Sequence, residues 1–389
     1  MKKRILSFFT CIFLFICIFF PADKYNIKLY AFFLIIIIGY KALLNLLFSK
    51  RKQKFLLFMG IMYPIFLIIL SLITGKNFNA TIAGVYPTLL ILIAVVVIEY
   101  KIEYKKYFIN FLDLLSYAIL LLFLLDFFRI IDINENQFIR YFFYELGAGM
   151  IGKSSSYSVY YKIFFKASPL LVISLSVHLY KKNFIKSTLV LFALLLSGTR
   201  ANLFIGLLIL VGFVLYNVYF KAGNNKVYLK LFVSLLLVIC IPLSIKFFNL
   251  LMNTSGSISS DNVRNGQLRS FIKLFSNPKI FLFGQGFGSK FFDEGRNILT
   301  YDSEIAYLDL LRKIGFPLFL IFMIFVLMPF KSKKIPLLVK FSYFGYLLIC
   351  FTNPLLFSST AYILYIFLYV EFYKLDAVEH SYEDKIMSH

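Results

Sequence analysis

The sequence predicts an all-α polytopic integral membrane protein of about 12 transmembrane helices, and three observations carry that reading. Only 15% of the 389 residues are charged, where a soluble domain carries about a quarter. The apolar residues arrive in blocks of about 17–22, the length of helix that crosses ~30 Å of hydrocarbon. The lysines and arginines gather in every second short connection between those blocks, as the positive-inside rule requires of cytoplasmic loops.

In chain order the predicted spans are 5–20, 28–48, 55–73, 81–98, 107–128, 163–180, 187–196, 201–220, 228–248, 315–330, 335–351 and 355–372. Lipid offers no partner for backbone N–H and C=O groups, so each block closes its hydrogen bonds within itself as a helix. None shows the period-two alternation of a membrane barrel. The first block follows Lys2-Lys3-Arg4 and resembles a signal peptide. It lacks a small-residue cleavage site before Pro21, so it is read as a retained first helix.

Counting these spans puts Lys2-Lys3-Arg4, Lys50-Arg51-Lys52-Lys54, Lys101/Lys105/Lys106, Lys181-Lys182-Lys186, Lys221/Lys226 and Lys331-Lys333-Lys334 on one side. The opposite short loops, 75–80 and 352–359, carry almost no cations. Both termini are therefore expected in the cytoplasm. The expected organisation is a single transmembrane domain, 1–373, with an extracytoplasmic loop at 250–304 between helices 9 and 10 and a cytoplasmic tail at 374–389.

The formal charge of +22 does not indicate nucleic acid, because the cations sit between apolar blocks. Cys11, Cys17, Cys240 and Cys350 lie inside those blocks without metal-ligand spacing and are read as small buried hydrophobes. There is no Asp-x-Asp pair for a metal-bound nucleotide sugar and no Ser-His-Asp set, and the outer loops hold no histidine. His178 stands alone near a helix end. Asp113 and Asp126 fall in the fifth span, and 132–136 resembles the start of a calcium loop without its glycine or distal glutamate.

Long loops in compact proteins are usually functional, and loop 250–304 holds most of the candidate chemistry. Residues 267–275 put Leu268, Phe271, Ile272 and Phe275 on one helical face, which reads as a short amphipathic helix on the membrane surface, ended by Asn277-Pro278. Asp261, Arg264, Arg269, Lys273 and Lys279 add charge to this loop, as anion ligands or as a solvated surface. Gly284, Gly286 and Gly288 alternate along 283–289 and permit either a plain turn or one whose N–H groups converge on an oxyanion. Asp302 or Ser303 can cap the next helix, and Asp309 with Lys313 has i,i+4 spacing. Glu304 and Asp302 are carboxylates able to take a proton from a hydroxyl. Arg200 follows Ser197-Gly198-Thr199 at the end of the unusually short seventh span, where it either grips an anion such as phosphate or snorkels to the interface.

Taken in order, Leu196-Ser197-Gly198-Thr199-Arg200, Val263-Arg264, Asn277-Pro278, the 283–288 glycine run, Asp302-Ser303-Glu304 with Tyr307-Leu308 and Gly315, and Thr352-Asn353-Pro354-Leu355 resemble the O-antigen polymerase and ligase superfamily. The resemblance covers roughly residues 187–360, while the N-terminal half shares only its hydrophobicity. It implies a bundle similar to the GT-C-like membrane glycosyltransferases. The implied enzyme joins undecaprenyl-pyrophosphate-linked oligosaccharide units on the outer face of the inner membrane.

Under the resemblance, Arg200, Arg264 and Arg269 with Gly286 and Gly288 bind the pyrophosphate, and Asp302 or Glu304 is the base. Pyrophosphate is already a good leaving group, so no metal or other cofactor is expected. The implied partners are the lipid-linked oligosaccharide, membrane lipid, and a chain-length regulator and flippase of the same pathway. Ligases of the superfamily carry a histidine where this chain has Tyr301-Asp302, which favours polymerase over ligase. A lipid-linked oligosaccharide flippase is the rival from another class. It is disfavoured because the charges gather in one loop and not in pseudo-symmetric halves at the bilayer midplane.

Overall fold

The computed structural model describes residues 1–22, 26–48, 53–75, 77–154, 161–217 and 255–373. The predicted span 228–248, the end of span 201–220, the tail 374–389, Cys240 and the cations Lys50, Arg51, Lys52, Lys221 and Lys226 lie outside the described residues.

Every predicted span within the described residues overlaps a helix. In chain order the helices are α1 (Lys2–Phe19), α2 (Ile27–Phe48), α3 (Lys54–Ile73), α4 (Phe78–Glu99), α5 (Tyr104–Phe127), α6 (Ser168–Tyr180), α7 (Phe184–Leu196) and α8 (Arg200–Leu215). They continue with α9 (Ser255–Phe275), α10 (Pro278–Phe283), α11 (Ala306–Leu327), α12 (Leu337–Ile349) and α13 (Ser359–Tyr373). Among the described residues, α2 to α5 and α11 are long and apolar enough to cross a membrane, and α6, α7, α8, α12 and α13 are shorter apolar helices. Two antiparallel hairpins complete the structure: β1 (Gly149–Lys153) with β2 (Tyr161–Phe165), and β3 (Phe291–Asp293) with β4 (Ile298–Thr300). Residues 163–165, predicted to open the sixth span, belong to β2, and the helix starts only at Ser168.

The long helices bury one face and leave apolar side chains on the other. Along α2, Ala31, Phe32, Ile35, Gly39, Ala42 and Leu46 are buried at helical spacing, while Phe33, Ile37, Leu44 and Leu47 are exposed. In α3, Met59, Tyr63 and Leu67 are buried, and Met62, Phe66, Ile69 and Ile73 are exposed. A water-facing surface would carry polar groups there; hydrocarbon contact needs none.

The chain packs as two compact units. Among the described residues, the first lies within 1–111, 264–336 and 350–373. At its centre α13 is buried on all sides, with Tyr362, Tyr365, Tyr369 and Tyr373 each no more than 1% exposed. Tyr365 and Tyr369 donate to the Leu356 and Phe325 carbonyls, and Tyr104 donates to that of Ile363. Helix α4 packs against α2 and α13, and Gly39 and Gly60 let α2 and α3 approach the Val96 and Leu92 side chains closely. Pro64, lacking an N–H, follows a π-helical turn at Phe58–Met62, and Pro87 sits in a 3₁₀ stretch at Tyr86–Ile91.

The second unit comprises, among the described residues, 112–154, 161–217, 255–263 and 337–349. There α12 packs on α6 and α8, with Gly345 against Ile205. Its buried carboxylates among the described residues, Asp113 and Asp126, are paired. Asp113 accepts from Ser174 and Lys186 at 2.8 and 2.9 Å, and His178 Nε2 lies 2.7 Å from it, so the histidine that stands alone in sequence has a carboxylate partner. Asp126 binds Tyr161 at 2.8 Å, Lys153 at 3.0 Å and the Ile133 amide at 3.0 Å. The Asp126 carboxylate raises the Lys153 ammonium above its ordinary value. The would-be calcium loop is occupied by its own side chains: Asp132 accepts the Asn134 amide, and Asn136 caps the helical turn Gln137–Arg140.

Helix α11 is broken at Gly315, whose φ of 73° and ψ of 165° are not helical, just before Pro317. The break coincides with the predicted start of the tenth span, so residues 306–314 form a separate helical segment ahead of it. A Cβ at Gly315 would collide with the Leu282 carbonyl, whereas Gly75, at φ 68°, has open space around it. Gly75→Ala is expected to cost about 1 kcal/mol for its backbone alone, and Gly315→Ala at least about 2 kcal/mol more. Heat-induced loss of the monodisperse species in detergent checks this, and equal losses would show that the backbones at Gly315 are not closely packed.

Candidate active site

Residues 264–315 of the first unit hold most of the predicted site residues. The segment begins on α9, which runs from Ser255, longer than the 267–275 helix expected. Its buried face is not wholly apolar: Gln267 and Phe271 are fully buried and Ser270 is 4% exposed, while Leu268 and Ile272 point outward. Phe271 therefore does not face the membrane. It stacks on Phe291 of β3 at 5.1 Å. Asn277 ends α9 and also caps α10 by accepting the Lys279 amide.

Gly284, Gly286 and Gly288 all have positive φ, between 75° and 80°, and carry the chain as an extended strap. One edge of the strap is bonded to α3 and α4. Thr74 donates to the Gln285 carbonyl at 3.1 Å, Ser71 accepts the Phe287 amide at 2.9 Å, and Thr81 donates to the Phe287 carbonyl at 3.2 Å. The other edge is bonded to α11, where the Gln285 and Gly286 amides donate to the Arg312 and Lys313 carbonyls at 2.7 and 2.9 Å. The amides of Gln285, Gly286 and Phe287 are thus already committed to the protein.

Arg312 is completely buried where strap and helix meet. Its guanidinium donates to Asp309 at 2.8 Å, the Tyr301 carbonyl at 2.9 Å, Ser289 Oγ at 2.7 Å and Gln285 Oε1 at 3.1 Å, and lies over the Phe291 ring. A buried charge left without these partners would cost several kcal/mol, so the acceptors are held where the arginine needs them. Lys313 bridges Asp309 at 2.7 Å and Asp302 at 2.5 Å, so the expected Asp309–Lys313 pair forms.

Asp302 and Ser303 do not cap α11: the cap position is Ile305, with no side-chain bond. Ser303 Oγ accepts the Ile305 amide and donates to Gln267 Oε1 at 2.7 Å, while Asp302 reaches Lys313 and keeps a 74% exposed side chain. Glu304 lies between two guanidiniums. Arg264 Nε is 3.2 Å from Oε2, and Arg296 Nη2 donates to Oε1 at 2.6 Å. Gln267, Asp293 and the Gly295 and Arg296 amides hold the β3–β4 turn that presents Arg296.

The structure thus brings Arg264, Asp302 and Glu304 into one loop cluster, with Gly286 and Gly288 on the strap behind Arg312. Arg269 is 69% exposed and pairs loosely with Glu294 at 3.8 Å. Arg200 belongs to the second unit, where its fork meets Asp261 at 2.9 and 3.2 Å. Sequence reasoning passed over Arg296, Gln267 and the central place of Arg312. For Arg312 the signal was available, as an arginine at the head of an apolar helix rarely lacks a buried partner. Among the described residues, no three His, Cys, Asp or Glu side chains group as a metal site.

No protein-family model matches this chain, and no curated protein or solved structure matches it either.

Replacing Asp309 with Asn strips both Arg312 and Lys313 of a buried carboxylate and is expected to cost about 3–5 kcal/mol. Replacing the exposed Asp302 with Asn is expected to cost less than about 1 kcal/mol. Thermal denaturation of the two purified variants checks the contrast; similar stabilities would remove Arg312 from the centre of the loop.

Proposed function

We propose that this chain is a polysaccharide polymerase of the O-antigen type. It lies in the bacterial cytoplasmic membrane with about 12 spans and cytoplasmic termini. It joins undecaprenyl-pyrophosphate-linked repeat units on the outer face of that membrane. The observation that carries the reading is the accessible cluster of Arg264, Arg296, Asp302 and Glu304 at one end of a unit built from helices of membrane-crossing length.

The alternation of spans is supported by which helix ends meet in the first unit. Lys105 pairs with Glu371 at 2.6 Å and Asn45 meets Glu99, all at ends assigned to the cytoplasm. Lys28 donates to Ser359 and Thr74 to Gln285, at ends assigned outside.

In the proposed reaction an acceptor hydroxyl oxygen attacks the anomeric carbon of the lipid-linked chain. The bond from that carbon to the diphosphate oxygen breaks, and the electron pair leaves with the lipid diphosphate. Arg264 and Arg296 stabilise the charge that develops on the leaving group. The hydroxyl proton passes to Asp302, the more exposed of the two carboxylates, held by Lys313 through one oxygen. With one displacement the anomeric configuration inverts. Gly286 and Gly288 act by shaping the strap that fixes Arg312 and Lys313. The resemblance gives Arg200 a diphosphate-binding role, tested independently of the loop.

Deleting the gene is expected to leave a single repeat unit on the surface lipid; loss of all repeats would point to a ligase or flippase. Arg200→Ala and Arg264→Ala should each abolish chain growth at unchanged protein level, read from polysaccharide ladders beside an immunoblot, and full-length polymer from both would overturn the site. A product of retained configuration from a defined lipid-linked unit would exclude the single displacement.

A further inference from the structure

Two of the arginine–carboxylate arrangements in the loop are of opposite character. Arg312 with Asp309 is sealed, at 0% and 9% side-chain exposure, with further acceptors around the guanidinium. Glu304 with Arg264 and Arg296 is open, at 25%, 25% and 38% exposure. Each Glu304 oxygen takes one guanidinium, the arrangement in which two arginines share a diphosphate's oxyanions.

Resting on the diphosphate site proposed above, we propose that Glu304 is an internal stand-in for the ligand: its carboxylate occupies the Arg264–Arg296 clasp until a diphosphate displaces it. Charge favours the exchange: Glu304 is the carboxylate that both guanidiniums share, Asp293 lies farther off at 3.9 Å from Arg296, and a diphosphate diester brings two negative charges. The backbone permits it. The Glu304 amide donates to Gln267 Oε1 at 3.2 Å and Ser303 is bonded to the same oxygen, so the segment stays anchored when the side chain swings out. The stand-in keeps both arginines paired while the site is empty. It also sets a threshold that a single phosphate group, with less charge than pyrophosphate, does not pass, so Glu304 acts as a specificity group and Asp302 remains the base.

The test is calorimetric titration of the purified full chain in detergent with inorganic pyrophosphate and, separately, orthophosphate. Glu304→Gln is expected to bind pyrophosphate about tenfold more tightly than the parent, the equivalent of one displaced charge-assisted hydrogen bond. It should also bind orthophosphate, which the parent does not. Glu304→Asp, too short to reach both guanidiniums, should shift in the same direction, so the idea stays testable if one variant misfolds. Unchanged or weaker pyrophosphate binding in a folded variant would overturn the stand-in role. Arg264→Gln should lose pyrophosphate binding. The polymerase reading fails separately: if cells lacking the gene lose all surface repeats or still make full-length polymer, that reading falls whatever the affinities are.

Discussion

A guanidinium cannot give up its proton and cannot be left unpaired out of water. Arg312 therefore dictates the arrangement around it more than any other group in the loop. Its donors reach Asp309 on its own helix, Gln285 and Ser289 on the glycine strap and the carbonyl of Tyr301. Those acceptors come from three stretches of chain that share no regular secondary structure. One buried cation thus does the work a sheet or helix pair does elsewhere, fixing irregular backbone without large apolar area. The exposed groups Asp302 and Glu304 inherit their positions from it, through Tyr301 on one side and Lys313 on the other.

The helices long and apolar enough to cross a membrane were legible because hydrocarbon imposes one simple demand, an unbroken apolar stretch of fixed length. Even the break in α11 was visible, since Gly315 and Pro317 punctuate the run where the structure bends. The loop was legible as a place but not as a geometry. The apolar spacing of Leu268, Phe271 and Ile272 suggested one lipid-facing stripe. The true buried face is set by Gln267 and Ser270, which bond to a hairpin and a coil segment more than twenty residues away. Hydrophobic periodicity carries no information about such polar pairings. The alternate glycines were visible, but whether their amides faced a ligand or the protein depended on Ser71 and on the carbonyls of Arg312 and Lys313, far apart in sequence.

The second unit shows the same rule with different chemistry. Asp113 sits near the middle and Asp126 at the end of one helix, and each is surrounded by donors from elements that follow it in the chain. A carboxylate in an apolar helix is costly unless such donors arrive, so α5 depends on α6, α7 and the β1–β2 hairpin. Arg200 is likewise engaged by Asp261, which brings the start of α8 to α9.

The hydroxyls that grip the glycine strap have a history during synthesis. Ser71, Thr74 and Thr81 are made some two hundred residues before the strap exists. They are not stranded meanwhile, because each donates to a nearby carbonyl of its own helix: Ser71 to Leu67, Thr74 to Ser71 and Thr81 to Asn77. When residues 285–287 finally emerge from the ribosome, Ser71 has a lone pair to offer, and the two threonines can share their protons with a second carbonyl. The early helices can therefore form with their hydroxyls satisfied and become a docking rail only when the later half of the chain arrives.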